Sequence, residues 1–296
     1  MSTIGYTALH EGAAVVDLSG RGKIRVEGED RARLLHAMTT NHVNGLADGD
    51  SLYAFFLSAQ GRVMAAVYII NQGESFLIDT EAESRHRVFD HLDKFIIADD
   101  VTLADETDVT ATLALEGPLA QSVAEKAGVK TYDLGGLRII CPLAEKDEVA
   151  AKLRAAGAVD ATADEFHLVQ LEQRKPRYGV DFDDTKIPQE TQQMHAIHFS
   201  KGCYLGQEIV ERVRSRGLVN RLLVPLLIDG STIPDHDTPI VSGDKPVGKI
   251  TSAAYSPKLG TIVGFGYVMA ETLRTKAPLM LGESSAHVVE YLTGNC

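Results

Sequence analysis

The chain has 296 residues, of which 44% are hydrophobic and 24% charged, a composition that excludes a disordered chain and suits roughly two domains. Its 29 Lys and Arg against 41 Asp and Glu give a formal charge of −12, so the broad basic face of a sequence-blind nucleic-acid binder is missing and a nucleic-acid partner is not expected. The three cysteines Cys141, Cys203 and Cys296 form no close pair, which excludes a disulfide framework and points to a reducing cytoplasm.

Residues 1–17 lack both the basic and the apolar region of a signal peptide. No stretch reaches the ~18 apolar residues of a membrane span, so a cytoplasmic protein with no membrane partner is expected. The first helix is predicted over 29–38, where Leu34, Leu35 and Met38 recur at helical spacing before the polar run Thr39-Thr40-Asn41. Strands over 63–70 and 75–79 follow, joined by Asn71-Gln72-Gly73. Val88, Phe89, Leu92, Phe95 and Ile96 put a helix on 81–96. Strands are expected over 101–104 and 110–116, then a helix opened by Gly117-Pro118 and closed by Gly128. A strand over 137–141 precedes a helix over 145–156 that Gly157 stops, and Thr162 is placed to cap another. From residue 221 onward, short strands such as 247–251 and 261–268 alternate with Gly-, Pro- and Asp-rich turns. The expectation is α+β, with residues 1–220 as interleaved α+β parts and 221–296 as a small β-barrel or sandwich.

Phosphate-loop, nucleophile-elbow and His-Glu-x-x-His signatures are absent, and Gly264-Phe265-Gly266 lacks the third glycine of a dinucleotide fingerprint. The chemistry concentrates in Lys201-Gly202-Cys203-Tyr204-Leu205-Gly206-Gln207-Glu208, which runs into a predicted helix over 209–214. Glycines on both sides of Cys203-Tyr204 allow a tight turn and close backbone approach. A cysteine ahead of a helix N-terminus and near a cation is a candidate thiolate, though it also suits a small buried apolar site. Residues 201–221 carry Lys201, Arg212, Arg214, Arg216 and Arg221 against Glu208 and Glu211, a local cationic excess fit for an anion or simply a solvated helix face. Glu172, near the end of the helix after Thr162, could accept two parallel N–H groups. The spacing of His195, His198 and Cys203 reads as two histidines on a half-buried strand rather than a metal site, because no fourth ligand is evident.

The octapeptide resembles the Lys-Gly-Cys-Tyr-x-Gly-Gln-Glu signature of YgfZ-type folate-binding proteins, relatives of the glycine-cleavage T-protein, an aminomethyltransferase. Thr39-Thr40-Asn41, the Gly61-Arg62 turn, Ile187-Pro188-Gln189-Glu190 and Val247-Gly248-Lys249-Ile250-Thr251-Ser252 resemble that family in the same order. The resemblance implies two ferredoxin-like-related α+β parts and a C-terminal β-barrel, a cloverleaf around a central opening that takes tetrahydrofolate or a one-carbon derivative. It further implies Cys203 and Lys201 as catalytic residues, and Glu172, Tyr204, Arg212, Arg221 and Asn41 as cofactor-binding residues. A role in iron–sulfur cluster assembly or repair follows from it, with client enzymes or assembly factors as partners. An aminomethyltransferase or other one-carbon transferase and a tRNA-modification factor are the alternatives. Where the transferase has an acidic pair, this chain has Ala65-Ala66, and Arg174 stands where the family usually has glycine.

Overall fold

The computed structural model describes residues 3–217 and 219–290. Two five-stranded sheets and a closed six-stranded barrel make up the fold, and a shared apolar cluster joins the first sheet to the barrel and to the segment 178–210. The first sheet runs in the spatial order Ser51–Leu57, Val63–Asn71, Phe76–Thr80, Gly22–Glu27 and Thr102–Asp105, antiparallel throughout. Alternation along these strands sends Ile24, Val26, Phe56, Ala65, Val67 and Ile69 under the helices Arg31–Met38 and Arg85–Asp93. The other face carries Phe55, Leu57 and Ala66 into the shared cluster.

The second sheet runs Val159–Asp160, Ala14–Asp17, Thr110–Glu116, Leu137–Pro142 and Tyr132–Asp133. Its first strand comes from the chain start and pairs parallel with Val159–Asp160, so the first sheet is threaded between the parts of the second. Helices Ala120–Ala127 and Lys146–Ala156 cover Val15, Leu113, Leu115 and Ile139. Both helices end on the glycines expected, Gly128 and Gly157, each in the left-handed region. The helix Ala163–Glu172 packs Phe166 on the reverse face of this sheet. Its start is the reciprocal cap expected at Thr162: the Thr162 hydroxyl accepts from Glu165 N–H at 3.2 Å, and the Glu165 carboxylate accepts from Thr162 N–H at 2.6 Å.

The barrel closes in the order Arg221–Ile228, Thr261–Met269, Lys245–Ser256, Pro239–Ser242, Leu279–Leu281 and Ser284–Val288, the last strand pairing back with the first. Gly264 and Gly266 are there for strand packing: a Cβ would lie 2.4 Å from the Ser252 carbonyl at the first and 2.9 Å from that of Lys249 at the second.

Two expectations are corrected. The helix foreseen over 81–96 divides into a 3-10 turn at Ala82–Ser84 and a helix at Arg85–Asp93, leaving Phe95 and Ile96 beyond its end. The strand foreseen around His195 and His198 is a 3-10 turn, Met194–Ala196, followed by a loop. Side chains replace a ladder there: Thr40 donates to the Ala196 carbonyl at 2.6 Å and Asn41 to the His195 carbonyl at 3.0 Å.

Candidate functional site

Where the first sheet meets the segment 177–204, aromatic groups gather around Tyr53. Its ring lies 4.9 Å from that of Tyr68, 5.6 Å from Phe55 and 5.3 Å from the His195 imidazole, the last pair stacked at 22°. Tyr53, Tyr68 and His195 all retain solvent-accessible surface. Even so, burial holds the Tyr53 phenol well above the ordinary range, lifts Tyr68 to about 12 and lowers His195. These rings form an aromatic wall that is partly open to solvent, with Tyr53 and Tyr68 half-buried and His195 exposed. Asn41 sets this wall, because its amide donates to the Tyr53 carbonyl at 2.8 Å as well as to that of His195. The residue expected to touch a cofactor therefore joins the two backbones that carry the stacked rings.

Charged groups continue inward from the wall. Arg177 Nη1 lies 2.6 Å from His167 Nε2, and burial followed by the Arg177 charge lowers the His167 pKa. Arg21 pairs with Asp79 at 2.6 Å and with Glu81. Asp181, 3% exposed, accepts from Arg177 N–H, Thr251 and Ser252. It ties the segment after the Glu172 helix to the barrel strand Lys245–Ser256, while burial raises its pKa against the pull of those donors.

The octapeptide is pinned to the C-terminal end of the helix Arg31–Met38. The Lys201 ammonium donates to the carbonyls of His36 and Thr39, where the helix dipole favours a cation. Leu205 N–H donates to the Ala37 carbonyl, His198 N–H to that of Thr40, and the His36 ring meets the Lys201 carbonyl at 2.9 Å. Lys201 is 7% exposed, and desolvation lowers its pKa to about 8, partly opposed by the charge of Cys203. Cys203 itself is exposed and free, ahead of the helix Gln207–Arg216. Tyr204 turns inward, 4.7 Å from the Lys201 ammonium, and its buried hydroxyl has no partner among the described residues. Burial, reinforced by Glu211, lifts that phenol to about 12. Gly206, with φ of +83°, allows the 58–61 turn to close on it: a Cβ would lie 2.6 Å from the Ser58 carbonyl.

Glu172 ends its helix in a different setting, with a side chain 5% exposed. Tyr6 donates to it at 2.5 Å, Ser256 at 2.6 Å, and His10 Nε2 lies 2.7 Å from its other oxygen. The N-terminal helix Ile4–Glu11, the second sheet's helix and a barrel hairpin thus converge on one carboxylate. Glu172 and Cys203 share no contact, but their neighbours Leu171 and Tyr204 belong to the same central cluster. Arg174 adopts φ 59°, so the left-handed turn suited to glycine is kept with arginine, whose guanidinium donates to the Glu290 carbonyl.

Arg212 and Arg221 are exposed. Arg214 pairs with Glu211 at 3.6 Å and lies over the Phe199 ring at 4.2 Å. The Arg216 side chain and Cys296 lie outside the described residues. Ala65 faces the two-helix core and Ala66 the shared cluster, so neither side supplies a carboxylate. Tyr53, Tyr68, His167, Arg177 and Asp181 went unnoticed in the sequence, although the alternation of strand 63–71 put Tyr68 on the same face as Ala66.

Family models for the GCVT N-terminal domain and the glycine cleavage T-protein C-terminal barrel domain match residues 5–138 and 221–288. An aminomethyltransferase from Rubrobacter xylanophilus is 29% identical over 90% of this chain and 80% of its own length. A protein described as a chloroplastic transferase of Arabidopsis thaliana is 25% identical over 95% of this chain and 71% of its own. The glycine cleavage system aminomethyltransferase T from Bartonella henselae shares the fold, with a TM-score of 0.87 at 18% identity over 97% of this chain and 88% of that one. With both domain models matched in order and the whole architecture shared, the chain belongs to the glycine cleavage T-protein superfamily.

Proposed function

We propose that the protein binds tetrahydrofolate or a one-carbon derivative in its central opening without catalysing aminomethyl transfer. It would serve iron–sulfur enzymes or their assembly factors as a YgfZ-type accessory protein of the cytoplasm. The observation that carries folate binding is the Tyr53–His195 stack with Tyr68 beside it, a flat apolar wall with polar groups behind it. A reduced pterin offers a planar ring for such a wall and an N–H edge for an acceptor. The partnerless hydroxyl of Tyr204 and the partnerless Oε1 of Gln189, both buried, provide polar atoms for a ligand at the neighbouring central cluster. Glu172 Oε1 is already taken by Tyr6 and Ser256, so Oε2, which faces His10, is the oxygen left to read an N–H edge.

Against transfer stands Ala66, the inward member of the alanine pair. Moving a methylene group onto folate needs charge stabilisation and proton handling at the reacting nitrogens, and alanine provides neither. The relatives named aminomethyltransferases favour the second reading, a transferase of that kind. Incubation with an aminomethylated lipoyl carrier protein separates the two: saturable tetrahydrofolate binding without 5,10-methylenetetrahydrofolate formation supports the first reading, and turnover overturns it.

The iron–sulfur role rests on the octapeptide and the exposure of Cys203. Among the described residues no group of three or more His, Cys, Asp or Glu is arranged to hold a metal, and one thiolate falls short of the four ligands a cluster usually takes. Cys203 would therefore react, or lend a single ligand in a shared complex. Restoration of cluster-enzyme activity in a deletion strain by Cys203→Ser as fully as by wild type would refute that role.

A further inference from the structure

Three histidines meet where the octapeptide is pinned. The His36 and His42 rings lie edge to face at 4.9 Å, and those of His42 and His198 are 5.2 Å apart. They come from the last turn of the helix Arg31–Met38, the approach to the 3-10 turn Val43–Gly45, and the loop ahead of the octapeptide. His42 and His198 are exposed, whereas His36 is half-buried with both ring nitrogens engaged. The Lys201 carbonyl, 2.9 Å from His36 Nε2, can only accept, so Nε2 carries the proton. The Asn44 N–H, 3.4 Å from Nδ1, can only donate, so Nδ1 keeps its lone pair. His198 Nδ1 likewise accepts from the Ser200 N–H at 3.2 Å. The surroundings of His36 thus fit one neutral tautomer.

A second proton would enter at Nδ1, against the Asn44 N–H, and would place a cation among cations. The groups facing His36 are Lys201 from the octapeptide, His42 from the turn and His198 from the loop. Burial first, and then the charges of these three, hold its pKa below the ordinary histidine range against the pull of the Lys201 carbonyl. A helix C-terminus favours one cation, but the Lys201 ammonium already takes the carbonyls of His36 and Thr39. The charge of Cys203 acts on that ammonium. The remaining backbone ties of this loop are the His198 and Leu205 amides, which donate to the Thr40 and Ala37 carbonyls.

We propose that His36 is a proton-operated latch on the thiol-bearing loop. Neutral, it fastens the octapeptide to the end of the helix Arg31–Met38; protonated, it lets the octapeptide loosen, so the presentation of Cys203 responds to mild acidification. Folate takes no part in the device. The sign follows from linkage: a ring disfavoured as a cation when latched stabilises the latched state fully above the ordinary pKa of ~6.5, and that contribution is lost as pH falls below it.

Hydrogen exchange of the His198 and Leu205 amides in the full chain, at pH 7.5 and 5.5 and corrected for intrinsic exchange rates, tests the latch. A freed imidazole is about ten-fold more protonated than neutral at pH 5.5, which sets the ceiling for one ring. Wild type should therefore open these amides about five- to ten-fold more at pH 5.5, while amides of the barrel strand Thr261–Met269 stay within about two-fold. His36→Gln, whose amide can still donate to the Lys201 carbonyl but takes up no proton, should hold both loop amides to within about two-fold. Should that variant fold poorly, judged by its circular dichroism, His42→Gln/His198→Gln removes only exposed rings and should lower the wild-type rise without abolishing it. A flat wild-type response, a rise that His36→Gln leaves intact, or an equal rise in the barrel overturns the latch.

Discussion

Glu172 and Cys203, the two side chains that the sequence marked most strongly, sit in opposite physical circumstances. The carboxylate is buried and surrounded by Tyr6, His10 and Ser256, whereas the thiol is exposed on a loop held by its neighbours. In the octapeptide, Lys201, Leu205 and Gly206 do the anchoring, and Cys203 is left free for chemistry. At Glu172 anchoring and any recognition fall on one group, so a ligand there competes with the fold. A motif residue's importance thus says little about whether it touches a ligand.

The largest effect that would sharpen this contrast is Glu172→Ala. It leaves the Tyr6 and Ser256 hydroxyls without their shared acceptor at a junction of three elements, and should cost ~3 kcal/mol or more in urea unfolding. Cys203→Ser should stay within ~0.5 kcal/mol of wild type. Equal costs for the two would break the comparison.

Lys201 gives the next effect, through pH. Its pKa is about 8 in the fold against 10.5 for an ordinary lysine, so between those values the unfolded chain binds more protons. Stability from this group therefore rises with pH, its burial penalty being fully present below pH 8 and relieved by pH 10.5. Relative to Lys201→Met, wild type should gain on the order of 3 kcal/mol across that window. A difference that stays flat with pH would mean that the ammonium is not desolvated.

Asn41→Ala removes both hydrogen bonds that join the Tyr53 and His195 backbones. A loss of ~1–2 kcal/mol is expected, with folate affinity falling about ten-fold. Unchanged affinity in a destabilised variant would separate the aromatic wall from binding. The smallest effect is at Arg174, which holds φ 59°. Arg174→Gly relieves left-handed strain but gives up the bond to Glu290, for a net gain of ~0.5 kcal/mol in the thermal or urea midpoint.

Much of the architecture was legible because local signals and tertiary packing agree. The glycine stops at Gly128 and Gly157, the Thr162 cap and the strand alternation over 63–71 are set by backbone chemistry within a few residues. The aromatic wall was less legible. Tyr53 lies more than a hundred residues from His167 and Arg177, none of the three carries a local pattern, and their approach depends on how the two sheets face one another. Phe95 and Ile96 continued a helical period past the real helix end, where periodicity alone does not report the stop. The Lys201-to-Cys203 relation was half visible: spacing foretold a nearby cation, but not that its ammonium would be turned into the end of another helix.

The pairing of Ala14–Asp17 with Val159–Asp160 has a consequence for how the chain reaches its fold. These partners are about 145 residues apart, so their contact must await closure of a very long loop, whose entropic cost is borne before the contact forms. The first sheet can assemble within that loop: the strands from Ser51 to Thr80 pair with their chain neighbours, and Gly22–Glu27 closes on partners 50 to 81 residues away, still much nearer than 145. The second sheet is then the late event, and during synthesis Ala14–Asp17 waits without its parallel neighbour until residue 160 has emerged. Newly made protein should accordingly pass through a stage in which one sheet resists proteolysis while the other remains open to it.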